Sequence, residues 1–191
     1  MEEYVGVKFE VKFVSNEVPK DKLLETLKKW CKIFDETGLA PFDGKRNYGN
    51  LSFRTEKGFI ITASGKNFRQ MKDDDFVLVE RCDVEKKVVY AHGKKEPSSE
   101  SMMHYVIYQK RKDINAVFHG HDAIVLEKAE KLNLPITKEV SYGTVELVRE
   151  VEKFLENDYI VLKNHGFVSL GNTMEKAGIL ALKMHNKAFE V

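Results

Sequence analysis

Three histidines are the residues of this chain whose type and spacing most directly indicate chemistry. His119 and His121 follow the apolar segment 114–118 and are separated by one residue, Gly120. Side chains at positions i and i+2 of a strand point to one face, so both imidazoles could bind one metal ion, whereas on a helix they would diverge by about 200°. Gly120 adds no bulk on the other face and would let the chain turn. The same pattern is also compatible with two solvated histidines at a strand end.

A third imidazole follows a second apolar segment. Residues 159–162 are apolar, and His165 comes in the polar turn after them, directly before Gly166. Two strands that each end in histidine and glycine suggest that their ends meet at one opening of the sheet. Three histidine donors without cysteine are typical of an open, catalytic zinc site, and manganese, iron or cobalt could use the same donors. His165 could alternatively be a turn residue that hydrogen-bonds to the backbone.

Three further segments have the chemistry of anion binding. Residues 96–100 begin a predicted helix, where two serines could cap backbone N–H groups or help those groups to bind a phosphate. Glu100 places a carboxylate in the first turn of that helix. Residues 47–52 and 62–66 place small or amide side chains beside glycine, where backbone N–H groups can approach a phosphate. Ordinary hairpin turns are the alternative interpretation of these two loops.

The elements that must position these motifs belong to a mixed α/β fold. Alternation over residues 5–13 predicts a strand with one buried face, and apolar spacing over 24–34 predicts an amphipathic helix that ends at Gly38. Short apolar segments separated by turns too short for crossover helices then predict antiparallel strands at 51–53, 59–62, 76–79 and 88–91.

Beyond Pro97 the pattern changes to alternating helices and strands. We therefore expect helices clustered around a mixed sheet. No repeat or linker divides the chain, so we predict a single domain over residues 1–191 with an N-terminal strand extension at 1–18. The predicted helices are 99–112, 122–133, 144–156 and 173–190, and the predicted strands are 114–118 and 159–162.

Composition excludes several classes of partner. The 31 lysines and arginines nearly balance the 30 aspartates and glutamates, so a net charge of +1 gives no electrostatic case for nucleic acid or an anionic membrane. No apolar run approaches the ~18 residues that a membrane span requires. The acidic N-terminus is unlike a signal peptide, and Cys31 and Cys82 are expected to be free thiols, so we expect a cytoplasmic protein.

Taken in order, five short motifs resemble those of the class II aldolase and adducin-head superfamily, and within it the L-fuculose-1-phosphate aldolase branch. The resemblance spans roughly residues 23–189 and implies a three-layer α/β/α fold about a largely antiparallel sheet. It also implies a cyclic homotetramer with active sites near subunit boundaries. The motifs are GNLS at 49–52, TASG at 62–65, PSSE at 97–100, HGH at 119–121 and NHG at 164–166.

The resemblance also implies roles for individual residues. His119, His121 and His165 would bind zinc, and Glu100 would be a further ligand that acts as the acid and base once substrate displaces it. The implied reaction is the reversible aldol cleavage of a small phosphorylated ketose to dihydroxyacetone phosphate and an aldehyde. The residues implied to hold the substrate phosphate are Asn47, Asn50, Gly65, Ser98 and Ser99.

The chain departs from the family pattern at several positions. Asp122 follows the HGH motif and is expected to place an additional carboxylate beside the metal. Two tyrosines that the family uses, one from a neighbouring subunit and one from a C-terminal tail, have no match here. His104 could reach the same metal from its position four residues after Glu100, or it could support the site by a hydrogen bond. Lys94 or Lys95 could steer an anionic substrate.

Three alternative functions remain open on the same sequence. A sugar-phosphate 4-epimerase would use the same metal, but that branch typically has aspartate at the position of Glu100. A dehydratase of a phosphorylated ketose also carries glutamate there. A non-catalytic binding module resembling the adducin head would be marked by loss of the metal-site histidines, and all three are present in this chain.

Overall fold

The fold of this chain is built on one eight-stranded sheet, which a computed structural model describes over residues 6–191. The strands are β1 (Glu10–Ser15), β2 (Gly49–Thr55), β3 (Gly58–Thr62), β4 (Phe76–Asp83), β5 (Val88–His92), β6 (Ala116–Gly120), β7 (Tyr159–Leu162) and β8 (Gly166–Gly171). Their order in the sheet is β1-β5-β4-β3-β2-β6-β8-β7. Among these eight strands of residues 6–191, only the pair β1–β5 is parallel, so the expected mixed and largely antiparallel sheet is confirmed.

Helices cover both faces of the sheet. They are α1 (Leu24–Glu36), α2 (Ser101–Lys110), α3 (Ala123–Lys128), α4 (Val145–Glu152) and α5 (Met174–Phe189). Buried side chains of α1, α3 and α5 share one core cluster with the sheet, and those of α2 and α4 share the other. The predicted three-layer α/β/α class is therefore confirmed. Within residues 6–191, no helix is both long enough and apolar enough to cross a bilayer.

The N-terminal strand lies later in the chain than the alternation predicted. β1 covers Glu10–Ser15, whereas alternation predicted residues 5–13, of which Val5 lies outside the described residues. The predicted buried face is also only partial, since Phe9 is buried but Phe13 is 42% exposed. β1 is an edge strand, so only its start contacts the core.

The C-terminal half contains one strand that the sequence analysis missed. β8 is buried along its whole length and is bounded by Gly166 and Gly171. Because both of its faces are covered, it lacks the alternation that identifies a half-buried strand. The predicted helices 122–133 and 144–156 are also shorter, because α3 ends at Lys128 and α4 at Glu152, and turns follow each.

The close contact between α1 and α5 depends on the absence of one side chain. A Cβ added to Gly178 of α5 would overlap the indole ring of Trp30 on α1. We expect Gly178→Ala to lower the free energy of unfolding by about 1–3 kcal/mol through overpacking. Chemical denaturation would measure the change. The matched control is Ile179→Ala on the same helix, where the side chain is 59% exposed, and this change is expected to stay within about 0.5 kcal/mol.

Candidate metal centre and active-site cavity

The three histidines identified in the sequence lie together at one end of the sheet. His119 is in β6, His121 follows that strand, and His165 lies in the turn between β7 and β8. Their ring centroids are 4.8 to 5.0 Å apart, and the Nε2 atoms of His119 and His121 are 3.1 Å apart. All candidate ligand atoms lie within 4.8 Å of one another. This spacing suits one ion bound about 2.0–2.1 Å from each nitrogen.

Two glycines allow this close approach. β8 lies between β6 and β7 and pairs with both, so the turn that carries His165 lies beside the end of β6. A Cβ on Gly166 would overlap the carbonyl oxygen of Gly120 and lie 3.0 Å from the His119 ring. A Cβ on Gly120 would overlap the carbonyl oxygen of Leu39. Gly120 is the last residue of β6 and is still paired with β2 and β8, so its role there is to leave space.

Glu100 places its carboxylate between the imidazoles. It is the N-cap residue of α2 and is 3% exposed. Its Oε2 lies 3.0 Å from His119 Nε2, and its Oε1 lies 3.3 Å from His165 Nε2. Asn50 Nδ2 donates a hydrogen bond of 2.8 Å to the same Oε2. Burial raises the pKa of Glu100, but the two imidazoles and Asn50 outweigh it and hold that pKa below its ordinary value.

The surroundings of two imidazoles prepare them to bind a metal. His119 Nδ1 lies 2.8 Å from the carbonyl oxygen of Phe167, which can only accept, so Nδ1 is the donor and Nε2 is the nitrogen that faces the site. The Nδ1 atom of His121 is buried without a hydrogen-bond partner. Its ring instead stacks on Tyr48 with centroids 5.5 Å apart. Burial and the neighbouring imidazoles hold the pKa of His121 well below its ordinary value.

Tyr48 is itself held by a short loop. Its hydroxyl donates to Asp43 Oδ2 at 3.0 Å, and the other oxygen of Asp43 accepts from the backbone N–H groups of Lys45 and Arg46. The ring against His121 is therefore fixed at its distal end. No pattern in the sequence identified Tyr48 beyond its place next to Gly49.

A cavity of about 530 Å³ opens above the histidine cluster. It brings together the metal-site residues and the four other residues Asn50, Gly65, Ser98 and Ser99 that the sequence assigned to a phosphate. Three cationic side chains also line it: Lys66, which ends the 62–66 segment of the sequence analysis, and Arg46 and Lys163, which that analysis did not select. Other lining residues include Tyr48, Glu139 and Tyr142.

Asn47 lines the same cavity, but its polar atoms are engaged within the protein. Its Nδ2 donates to Asp35 Oδ1 and to the carbonyl oxygen of Ala40, at 2.8 and 2.6 Å. Its Oδ1 accepts from the backbone N–H of Phe68, and its own N–H donates to Lys66. No N–H of Asn47 is left to donate to an anion, so the geometry indicates that Asn47 fixes the loop.

The expectation that Asp122 places a carboxylate beside the metal is wrong. Its Oδ1 accepts from the backbone N–H groups of Ile124 and Val125 and caps α3. Its Oδ2 is bonded to His185 Nδ1 at 2.6 Å, which ties α3 to α5. Asp122 is absent from the cavity lining, because cap formation directs the side chain toward its own helix.

His104 is fully buried beside the site as a supporting residue. Its Nδ1 lies 2.7 Å from Ser52 Oγ, which is in turn 2.8 Å from the Tyr108 hydroxyl. Lys95 is bound to Asp74 and Asp75 and does not line the cavity. The N-cap residue of α2 is Glu100, not Ser98 or Ser99, and the Glu100 side chain makes no capping hydrogen bond.

The family model of the class II aldolase and adducin N-terminal domain matches residues 25–189, which contain the whole cluster. The chain belongs to this family. The expected resemblance is therefore confirmed. The class II aldolases of this family are metal-dependent lyases, in agreement with a histidine cluster that could hold a metal ion.

Relatives with assigned names show which enzymes of this family the chain is similar to. An L-fuculose phosphate aldolase of Methanocaldococcus jannaschii is 32% identical over 146 residues, covering 69% of this chain and 76% of that protein. A 5-methylthioribulose-1-phosphate/5-deoxyribulose-1-phosphate aldolase of Escherichia coli is 28% identical, covering 84% and 78%. A solved L-fuculose 1-phosphate aldolase superposes with a TM-score of 0.75 at 28% identity, covering 91% and 86%. The expected enzyme class, a class II aldolase, is thus confirmed.

Burial of His104 predicts a pH dependence of stability. Burial holds the pKa of His104 at about 3, below its ordinary 6.5. Its contribution to stability is complete above about pH 6.5 and is lost as the pH falls toward 3, because the unfolded chain then binds the proton more readily. We expect His104→Gln to reduce the slope of the unfolding free energy against pH, by an amount that corresponds to at most about one bound proton. Denaturant titration at several pH values, with chelator present, would measure this slope.

The control for this prediction is Tyr108→Phe. It removes a hydroxyl from the same hydrogen-bonded group but leaves the titrating imidazole in place. The slope of this variant should match that of the unmodified protein, whatever its absolute stability. Equal slopes in all three proteins would contradict the prediction.

Proposed function

We propose that this chain is a zinc-dependent aldolase that reversibly cleaves a small phosphorylated ketose to dihydroxyacetone phosphate and an aldehyde. The observation that carries the proposal is a cluster of three imidazoles, two of them within 3.3 Å of the Glu100 carboxylate, on the wall of a cavity lined by the candidate phosphate residues. Similarity to named sugar-phosphate aldolases supports the substrate class.

The donor set fits a divalent transition metal. His119, His121 and His165 would bind it with Glu100 as a fourth ligand in the absence of substrate. Nitrogen and carboxylate donors without cysteine favour zinc in an open site, where substrate can displace a ligand. A bound metal would polarise the carbonyl and adjacent hydroxyl of the ketose and stabilise negative charge on them.

The candidate phosphate residues would fix the reacting carbon relative to Glu100. Asn50, Ser98 and Ser99 offer polar side chains, and Gly65 leaves open space, since a Cβ there would meet no atom within 4 Å. Lys66 adds a positive charge beside them. Binding one end of the substrate in this way would raise the reaction rate, because the reacting groups are already held in the correct orientation and less entropy is lost in reaching the transition state.

Glu100 is placed to move the proton. In the condensation direction its carboxylate would remove a proton from the hydroxyl-bearing carbon next to the carbonyl, and in cleavage it would return that proton. Asn50 binds the carboxylate in the absence of substrate, so displacement of Glu100 would free Asn50 as well. One buried acid would therefore exchange a metal-binding role for a catalytic one.

We also propose a homotetramer in the cytoplasm. The support is the family resemblance, in which active sites lie near subunit boundaries. Size-exclusion chromatography with light scattering would measure the number of chains per particle.

Metal analysis combined with product identification tests the proposed function. The purified protein should contain about one zinc per chain and release dihydroxyacetone phosphate from one or more ketose 1-phosphates. An inverted sugar phosphate would indicate the epimerase, and loss of water would indicate the dehydratase. Protein without stoichiometric metal would point to a binding module.

Replacement of Glu100 separates proton transfer from metal binding. Glu100→Gln should retain the metal on the three imidazoles but slow solvent exchange at the donor carbon by about 10²-fold or more, measured by NMR. Glu139→Gln is the matched control, because this carboxylate lines the same cavity but accepts from Asn164. Unchanged exchange in Glu100→Gln would remove Glu100 from the mechanism.

The stacking of Tyr48 on His121 predicts an effect on metal affinity. Tyr48→Leu should weaken zinc binding by about tenfold, since His121 has no hydrogen bond at Nδ1 to orient its ring. Competition with a chromophoric chelator measures the dissociation constant. Tyr48→Phe keeps the ring and should retain most of the affinity, and equal weakening in both variants would contradict a stacking role.

A further inference from the structure

The N-terminal segment, residues 6–9, contacts one wall of the active-site cavity. Lys8 Nζ donates a hydrogen bond of 2.7 Å to Ser141 Oγ and lies 3.7 Å from the ring centroid of Tyr142. The Tyr142 hydroxyl donates to the carbonyl oxygen of Gly6 at 3.2 Å. This segment precedes the residues matched by the family model, which begin at 25.

Tyr142 links this segment to the substrate-binding wall. It is 7% exposed and lines the cavity that holds the histidine cluster. The next residue, Gly143, packs so closely that an added Cβ would lie 2.8 Å from the carbonyl oxygen of Ser99. Ser99 directly precedes Glu100, so residues 141–143 lie between the N-terminal segment and the start of α2.

Both ends of this arrangement are fixed. Phe9 is buried in the core cluster on the α2 and α4 side of the sheet, and β1 continues from it along β5. At the other end, Thr144 caps α4 by accepting from Leu147 N–H and donates its hydroxyl to the carbonyl oxygen of Ser141. Lys8 therefore joins two anchored elements, and movement of its partners is restricted.

We propose that Lys8 and Tyr142 are positioning residues that hold the 141–143 wall against Ser99 and thereby fix the substrate-binding start of α2. This inference rests on the proposed function, in which Ser98 and Ser99 bind the substrate phosphate. A cation over an aromatic ring and a charged hydrogen bond fix both the ring and the Ser141 hydroxyl. Because Lys8 acts through the wall, it affects substrate binding, and proton transfer by Glu100 is retained.

Substitution of Lys8 tests the proposal with two readouts. In Lys8→Met, KM for the cleaved ketose 1-phosphate should rise about five- to tenfold while kcat stays within about twofold, as expected for lost ground-state and transition-state binding alike. Hydrogen exchange measured by mass spectrometry should accelerate in peptides covering 98–104 and 141–144. Lys12→Met is the matched control, since Lys12 lies on β1 and pairs only at 3.7 Å with Glu10.

Two further variants separate positioning from general loss of structure. Lys8→Arg keeps a cation over the ring and should restore KM to within about twofold. Tyr142→Phe keeps the ring but removes the donor to Gly6, so its KM should rise less than that of Lys8→Met. A variant that loses the N-terminal strand altogether would be recognised by faster exchange throughout β1 and β5.

Each outcome decides between the two proposals. Unchanged exchange at 98–104 in Lys8→Met would overturn the positioning role, and so would accelerated exchange with an unchanged KM. If the unmodified protein cleaves no ketose 1-phosphate, the proposed function fails, and the exchange result at 98–104 alone then decides whether Lys8 positions this wall.

Discussion

The close approach of the β7–β8 turn to the end of β6 is the constraint on which the rest of the site depends. It requires two positions without side chains, Gly120 and Gly166, because a Cβ at either would overlap a backbone carbonyl oxygen. With that space available, β8 pairs with β6 and its first residues bring His165 beside His119. Backbone packing thus sets the geometry of the imidazoles before any ligand binds.

The site also contains a buried carboxylate, whose charge must be stabilised by other groups of the protein. Glu100 is removed from water, which disfavours its charged form, and Asn50 and two imidazoles compensate for that loss. Beneath it, His104, Ser52 and Tyr108 form a buried polar group between α2 and β2. Buried polar side chains lower stability unless they form hydrogen bonds, and here the hydrogen-bonded group lies next to the residues that carry the proposed chemistry.

The metal-site residues and the N-terminal segment that contacts the cavity wall come from different parts of the chain. The histidines and Glu100 lie within residues 25–189, which match the family, and the fold is shared with a solved aldolase at a TM-score of 0.75. One wall of the cavity, by contrast, contacts residues 6–9 that precede this match.

The local pattern of the sequence determined most elements and the candidate metal ligands. Short apolar segments separated by turns identified strands β2 to β5, and helical spacing identified α1. The i, i+2 spacing of His119 and His121 predicted a shared face. β8 was missed because a strand covered on both faces has no alternation. The family resemblance selected Asn50, Ser98 and Ser99, which the structure places in one cavity.

Partners distant in sequence were decided only by the tertiary structure. The sequence could not show that Asn47 is engaged by Asp35, that Asp122 caps α3 and binds His185, or that Lys8 reaches Tyr142. The physical reason is that residue type and spacing fix what a side chain can bond to and which face it takes. Which partner it meets depends on how the chain packs, and that is a property of the whole fold.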